Sequence, residues 1–416
     1  MNARYIRRPI LFSLALLLLF CQGCGRHTSA MPTDNAYHLE TDYQDSYKGF
    51  NADFYFADTS EGTAYKGMGR LYMISDDGSD LQLCCSKPEC PHDFFSTACT
   101  ASLPLGDTSG IQYMNGKLYY IKTSGNTASL CRMDITGENR EVLREESTEF
   151  LANSGVVFHR GFLYIYCMED RSEQGTTLKL YQLDLENPSS DMKLLWEDMI
   201  PGMSMYLGGK FTARGNYLFF RDPNYHLYTG KKTTPALLHS MDLQTGEIYD
   251  CILPDGELPT EFAVVDDRVF LSVLTKEGYR LTSFSYTFEN PTDFPDKTKQ
   301  KEFFLCGDTK YLYFWQLEDP LLYILDKNGQ LLDTVDISFF RMEIFCAALR
   351  ASMREDGRVY ITMGDLSYGF QYFDKSEIGS GQIQLKGLPL VSSRFTYFDP
   401  IPMPNDFDWD WYFIHE

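Results

Sequence analysis

The chain has 416 residues, of which 58 are acidic and 37 basic, so its formal net charge is −21. Nucleic-acid binding depends on concentrated positive charge, and an acidic chain without a basic stripe argues strongly against that class of function. Aromatic residues make up 15% of the chain, which favours β-strands and argues against disorder.

The first 23 residues have the layout of a signal peptide. Three arginines precede an apolar run from Ile10 to Phe20, which is too short for a comfortable membrane span. The pair Gly23-Cys24 then resembles the end of a bacterial lipoprotein signal, although Cys21 stands where such signals usually carry Leu, Val or Ile. We therefore expect residues 1–23 to be cleaved and Cys24 to be lipidated. A plain secretory signal and a short membrane anchor are the alternatives.

A polar, unpatterned segment follows, and it predicts a tether over residues 24–48 between the lipid and the folded part of the chain. From residue 49 to residue 390 one pattern then recurs seven times. The second copy reads GIQYMNGKLYYIKTSGNTASLCRMDITGENREVL, from Gly110 to Leu143. Each copy holds four short apolar strands separated by hairpin turns such as NGK, in which Asn and Gly suit positive φ.

A repeat built only of strands, with a period of about 40 to 60 residues, predicts an all-β fold and a β-propeller. The expected number of four-stranded blades is about seven, and six or eight are also compatible with the pattern. A pair of β-sandwiches is the alternative fold, but it gives no reason for the regular repetition.

The blade sequence LYYI…LCRMDITGENREVL resembles the YWTD-type and TolB-like propellers, over most of residues 50–385. The lipoprotein signal and the motif CSKPECPH…C together resemble surface lipoproteins of clostridia-like Gram-positive bacteria. That family has no assigned activity. The resemblance therefore implies a fold and an extracytoplasmic, membrane-anchored location rather than a reaction.

The stretch LCCSKPECPHDFFSTAC (residues 83–99) concentrates potential metal ligands between the first and second copies. Its candidate ligands are Cys85, Cys90, His92 and Cys99. Three soft thiolates and one imidazole form a set typical of structural zinc, and a site filled by four protein ligands leaves no open position for catalysis. Two alternatives stay open. Exported thiols oxidise, so a Cys90–Cys99 or Cys85–Cys99 disulfide is a rival, and unliganded buried thiols are the other.

The C-terminal segment, residues 391–416, ends in PNDFDWDWYFIHE. In a strand, its alternating acids and aromatics would lie on opposite faces. The segment is predicted to pack on the propeller or close it. It is also a candidate ligand surface for a glycan or a cation, formed by Asp406, Asp408, Trp409, Asp410 and Trp411.

Motifs for zinc proteases, serine hydrolases and phosphate-binding loops are absent from the sequence. His159, His226 and His239 are interpreted as isolated polar positions. We therefore predict a lipid-anchored, extracytoplasmic propeller that binds a protein, peptide or saccharide and does not bind nucleic acid. The alternative is a propeller hydrolase or lyase acting on extracellular polysaccharide or peptide. Such an enzyme would gather carboxylates and histidines around its channel.

Overall fold

Apolar side chains recur along short strands, and these strands pair into antiparallel sheets in the computed structural model. The structure describes residues 32–44, 47–48, 55–67, 69–75, 81–90, 98–103, 110–148, 150, 154–169, 175–200, 211–222, 237–299, 303–316, 319–338, 347–363 and 370–387. Within these ranges there are seven sheets, each built from four strands consecutive along the chain, and one sheet gains a fifth strand. The predicted all-β fold is confirmed as a seven-bladed β-propeller.

The blades, numbered I to VII in chain order, correspond to the seven predicted copies. Blade I consists of Tyr55–Thr59, Gly62–Gly67, Arg70–Ile74 and Leu81–Leu83. Blade II consists of Gln112–Met114, Lys117–Ser124, Thr127–Asp134 and Glu141–Ser147. Blade III consists of Ser154–His159, Phe162–Glu169, Thr176–Asp184 and Lys193–Ile200. Blade IV consists of Phe211–Arg214, Tyr217–Arg221, Leu238–Asp242 and Ile248–Asp250.

The remaining blades repeat the same order of strands. Blade V consists of Leu258–Val265, Arg268–Thr275, Gly278–Ser285 and Thr292–Lys299. Blade VI consists of Phe303–Gly307, Leu312–Gln316, Leu321–Leu325 and Leu331–Asp336. Blade VII consists of Ala347–Ala351, Arg358–Met363, Phe370–Asp374 and Lys386–Gly387, with a 3-10 helix at Lys375–Glu377. Tyr47–Lys48 pairs with the first strand of blade VII as the fifth strand of that sheet.

Local turn chemistry explains the hairpins. In blade II the turn residues Asn115 and Gly116 have φ angles of 49° and 73°. Positive φ at both central residues is the mark of a type I′ turn, whose twist matches that of the flanking strands. The NGK motif is therefore a hairpin turn in the structure.

The links between strands divide between two ends of the propeller. The turn end is formed by the links between first and second strands and between third and fourth strands, such as residues 115–116 and 135–140 of blade II. The loop end carries the links between second and third strands, such as residues 125–126 of blade II, and is the end at which the fourth strand of each blade finishes. First strands of neighbouring blades contact one another, so they lie innermost, around the channel.

The core lies between blades rather than within them, because each sheet buries both of its faces. In the first strand of blade V, Phe262 and Val264 pack against blade IV, whereas Ala263 and Val265 pack against blade VI. The two sets alternate because successive strand residues point to opposite faces. Among the described residues, an apolar cluster occupies every one of the seven interfaces between neighbouring blades, including that between blades VII and I.

The interface that closes the ring holds polar as well as apolar contacts. Phe56 of blade I stacks on Tyr360 of blade VII, with ring centroids 4.9 Å apart. Beside this pair, Arg350 Nη1 donates to Asp58 Oδ1 over 2.9 Å, and both side chains are almost fully buried. The second carboxylate oxygen of Asp58 accepts a hydrogen bond from Ser352 Oγ over 2.9 Å. Blades I and VII are thus joined by an aromatic stack and a buried ion pair.

Among helices in the described part of the chain, none has both the length and the apolar character required to cross a membrane.

We expect Asp58→Asn to destabilise the protein by about 3–5 kcal/mol, because the substitution leaves the buried Arg350 guanidinium without its counter-charge. Urea unfolding followed by tryptophan fluorescence measures the change. Asp356→Asn is the matched control, because its partner Arg354 and its own carboxylate are accessible to solvent. Its cost should stay below about 1 kcal/mol. Equal losses in the two variants would contradict a special role of the closing pair.

Candidate functional sites: a cysteine cluster and the closed turn end

Three of the four predicted metal ligands come together at the junction of blades I and II. The sulfur atoms of Cys85, Cys90 and Cys99 all lie within 4.8 Å of one another. His92, the fourth predicted ligand, lies outside the described residues. No disulfide joins the eight cysteines that the structure describes. Cys84 instead faces the apolar cluster between blades I and II.

Two short turns create this cluster. Cys85 lies two residues after the last strand of blade I. The Cys90 amide donates to the Lys87 carbonyl over 3.1 Å, which turns the chain back. The Ser102 amide donates to the Cys99 carbonyl over 3.0 Å and forms a second turn. The Leu71 amide then donates to the carbonyl of Ala101, so the returning chain is fixed to the third strand of blade I. Backbone hydrogen bonds therefore position the thiols.

The thiols of the cluster have different proton affinities. Burial opposes ionisation of Cys85, but hydrogen bonds with Thr100 and the Lys87 backbone lower its pKa to about 6. Burial and the neighbouring cysteines raise the pKa of Cys99 to about 11. Arg70 Nη1 lies 4.0 Å from Cys99 Sγ, so a buried cation stands beside the sulfur atoms. A metal ion that displaced the thiol protons would find its thiolates partly neutralised by this guanidinium.

Blade II holds the loop from the other side. Arg140 Nη1 donates to the Ser102 carbonyl over 2.7 Å, and its Nη2 donates to the Thr100 carbonyl. Gly137 has a φ of 81°, and a Cβ atom at this position would overlap the Thr100 carbonyl oxygen. The cysteine cluster is thus in a position to hold a metal ion that fixes the connection between two blades.

At the turn end, the chain's own N-terminal residues cover the channel. This N-terminal strap (residues 33–44) lies within the segment that the sequence predicts to be a tether. No local sequence pattern indicates its contacts with the blades. The Thr33 carbonyl accepts hydrogen bonds from Asn216 Nδ2 over 2.5 Å and Gln244 Nε2 over 2.8 Å, both in blade IV. Glu40 Oε1 accepts a hydrogen bond from Tyr113 Oη of blade II over 2.7 Å.

An ion pair and an amide ring fix the rest of the strap. The Asp42 carboxylate binds the Arg160 guanidinium of blade III, with 2.9 Å between Oδ1 and Nε, and both side chains are buried. Gln44 Nε2 donates to the Asp58 carbonyl over 2.7 Å, and the Asp58 amide donates back to Gln44 Oε1 over 2.5 Å. The strap therefore bridges blades IV, III, II and I before the chain reaches blade VII.

His159 is fixed in one neutral tautomer beneath the strap. The Gly215 carbonyl lies 2.7 Å from Nε2, which must therefore carry the proton. Nδ1 then accepts the Tyr43 amide proton over 3.0 Å. Burial lowers the pKa of His159 to about 4, in keeping with the neutral form. Its role is to hold the strap. No local sequence pattern indicates this role, because the partners of His159 lie far along the chain.

A second buried histidine links blades III and IV. His239 Nδ1 lies 2.7 Å from Asp250 Oδ1, and Nε2 lies 3.2 Å from Asp222 Oδ1. The ring packs between Trp196 of blade III and Phe220 of blade IV, with centroids 5.2 Å and 5.0 Å away. Burial opposes its protonation, but the two carboxylates raise its pKa. The interpretation of His239 as an isolated polar position is therefore wrong.

The other predicted site residues cannot be located. Cys24 and the whole C-terminal segment with Asp406, Asp408, Trp409, Asp410 and Trp411 lie outside the described residues. Two buried carboxylates at the turn end, those of Asp58 and Asp308, have partners in the protein. Asp58 is bonded to Arg350, and the Asp308 carboxylate binds Lys375 Nζ over 2.9 Å and Tyr313 Oη over 2.7 Å.

No protein-family model matches the chain, and no curated protein matches it. Solved structures do match. The complex of KlAtg21 with the coiled coil of AgAtg16 matches with 11% identity and a TM-score of 0.51, over 83% of this chain and 98% of that one. TolB from Acinetobacter baumannii matches with 11% identity and a TM-score of 0.39, over 73% of this chain and 64% of that one.

A prolyl endopeptidase also matches, with 11% identity and a TM-score of 0.49, over 84% of this chain. The chain spans only half the length of that enzyme, 50%. Identities at this level show a shared fold alone, and the two matches with TM-scores below 0.5 carry no argument. The comparisons therefore agree with the β-propeller architecture. The function has to be inferred from the candidate sites.

We expect the free energy of unfolding to decrease in acid because His159 becomes protonated. An unfolded histidine titrates near pH 6.5, and the folded value is about 4, so the unfolded state binds more protons between these values. Stability should fall as the pH falls through this window, by about 3 kcal/mol at most. Urea unfolding at pH 7 and pH 4.5 measures the loss.

His159→Gln is the matched variant, because an amide can still accept from Tyr43 and donate to Gly215 but does not titrate. The variant should lose less stability than the wild type over the same pH range. Identical losses would show that His159 does not carry the acid sensitivity.

Proposed function

We propose that this chain is a lipid-anchored, extracytoplasmic β-propeller that serves as a binding module for a protein, peptide or saccharide. The observation that carries the proposal is the closed turn end. There the strap and the ion pairs Asp42–Arg160 and Asp58–Arg350 use the inward-facing charged groups to hold the fold together. A propeller organised in this way is a rigid frame that presents surface groups to a partner, and no covalent step is assigned to it.

Binding without turnover is tested with arrays of cell-wall saccharides and peptides probed with the purified chain. We expect retention of at least one ligand class, with the ligand recovered intact by mass spectrometry. Chain unfolded in urea and applied after dilution is the control for non-specific adhesion. Cleaved ligand in the recovered fraction would contradict the proposal, and so would the absence of retention on every surface class tested.

The lipid anchor rests on the N-terminal sequence, in which a short apolar run leads to Gly23-Cys24. We expect Cys24→Ser to abolish lipid attachment and to move the protein from the detergent phase to the aqueous phase in a phase-partition experiment. Cys21→Ser is the matched control, because Phe20 is too large for the position before a cleavage site, and it should keep the lipid. Unchanged partition of Cys24→Ser would contradict anchoring at this residue.

The cysteine cluster is proposed to hold a structural zinc ion. Cys85, Cys90 and Cys99 supply three thiolates, and His92 is the fourth ligand that the sequence offers. Three thiolates with one imidazole suit the tetrahedral coordination of zinc, and four protein ligands close the site to substrate. The ion would complete the folding of the loop between blades I and II, since binding energy at a structural zinc site contributes directly to folding.

We expect one equivalent of zinc per chain in protein purified with a reductant, and loss of that zinc in Cys99→Ser. Elemental analysis by mass spectrometry measures the zinc content. Cys84→Ala is the matched control, because Cys84 faces the apolar cluster, and it should keep the zinc. Titration of free thiols is run in parallel on protein purified without a reductant. Wild-type protein without zinc and with two thiols missing would instead establish a disulfide.

A further inference from the structure

The strap ends at a defined place on the propeller, and this place limits how the protein stands on a membrane. Thr33 lies at blade IV on the turn end, held by Asn216 between the first and second strands and Gln244 between the third and fourth. Gly215 packs tightly against the strap, since a Cβ atom there would lie 2.6 Å from Asn35 Cα. Thr33, the first residue of the strap, is therefore fixed at the turn end.

The distance from Thr33 to the proposed anchor is short. Residues 25–32 separate it from Cys24. A fully extended chain advances by about 3.3–3.6 Å per residue, so this segment spans about 30 Å at most. The eight-residue strands of blade V would each extend about 26 Å. A path from Thr33 around the outer strand and along a blade to the loop end would exceed the reach of the segment.

We propose that the turn end of the propeller faces the lipid bilayer and that the loop end points away from it. This inference rests on the proposed lipid anchor at Cys24. The turn end then lies next to the bilayer surface. The loop end is the part of the propeller that stays open to a protein, peptide or saccharide partner. The contacts of the strap hold Thr33 in place on the propeller, so the orientation is set by the fold. A freely rotating tether would not set it.

Charge decides how closely the turn end approaches the lipid. Among the described residues, the exposed acidic side chains on its turns are Glu61, Glu186, Asp191, Glu247, Asp266, Asp267, Glu289, Glu355 and Asp356. The exposed basic side chains on the same turns are Arg140, Lys310 and Lys327. The excess of carboxylates is repelled by anionic headgroups over about a Debye length, so the turn end lies over the bilayer without inserting into it.

The orientation is tested by energy transfer from the full-length lipidated protein, reconstituted in phosphatidylcholine and phosphatidylglycerol vesicles that contain a headgroup-labelled acceptor lipid. A donor dye is attached to p-azidophenylalanine at one exposed position at a time. Thr245 and Asn328 report on the turn end, and Asn126 and Glu277 report on the loop end. We expect severalfold more efficient transfer from the first two positions than from the second two.

Equal transfer from both ends, or more transfer from the loop end, would overturn the orientation. Mass spectrometry of the N-terminal peptide separates this result from failure of the anchor. A peptide without lipid on Cys24 would overturn both proposals, whereas a lipidated peptide with equal transfer would overturn the orientation alone.

The role of the strap is tested on the same vesicles. Asp42→Asn leaves the buried Arg160 without its counter-charge and should release the strap, which lengthens the tether. The difference in transfer between the two ends should then shrink. Asp34→Asn is the matched control, because Asp34 pairs with His38 at an exposed position, and it should keep the wild-type difference. Equal behaviour of the two variants would overturn the dependence of orientation on the strap.

Discussion

Closure of the ring between blades VII and I is the constraint on which the rest of the structure depends. A blade buries both faces only when both of its neighbours are in place, so each interface relies on the ring being complete. Here Asp58 and Arg350 meet at the closing interface inside the protein. A buried ion pair adds little net stability, but an unpaired charge at this place is costly, which favours one closing register over its alternatives.

The strap provides a second set of contacts that closes the ring. It crosses the turns of blades IV, III, II and I, and the chain then pairs with the first strand of blade VII through Tyr47–Lys48. The same short segment thus covers the channel, joins the first and last blades and leads towards the proposed anchor. Attachment at the proposed anchor would therefore be coupled to ring closure, because the contacts of Asp42 and Gln44 would resist a pull on that anchor.

The cysteine cluster acts on a different part of the ring. It lies in the connection between blades I and II, where the sulfur atoms approach one another without a disulfide among the described residues. Arg140 of blade II holds the carbonyls of the same loop. An ion bound to these thiols would make a long connection as rigid as the strands that it joins, in a molecule proposed to work by presenting surface groups in fixed positions.

The sequence by itself determined the features whose causes are local. The strand alternation around Phe262, the type I′ turn at Asn115 and the spacing of seven copies specify a propeller, because side-chain direction and turn geometry depend on neighbouring residues. The approach of Cys85, Cys90 and Cys99 was also predictable, since fifteen residues of one loop contain all three.

Only the tertiary structure decided the pairs that are distant along the chain. Asp42 and Arg160 are 118 residues apart, and Asp58 and Arg350 are 292 residues apart. Neither pair follows from periodicity, because its partners meet only after the ring has closed. The same reason explains why the sequence predicts a tether where the strap lies and an isolated residue at His239. A local pattern defines a blade, whereas the closed ring determines which side chains the blades bring together.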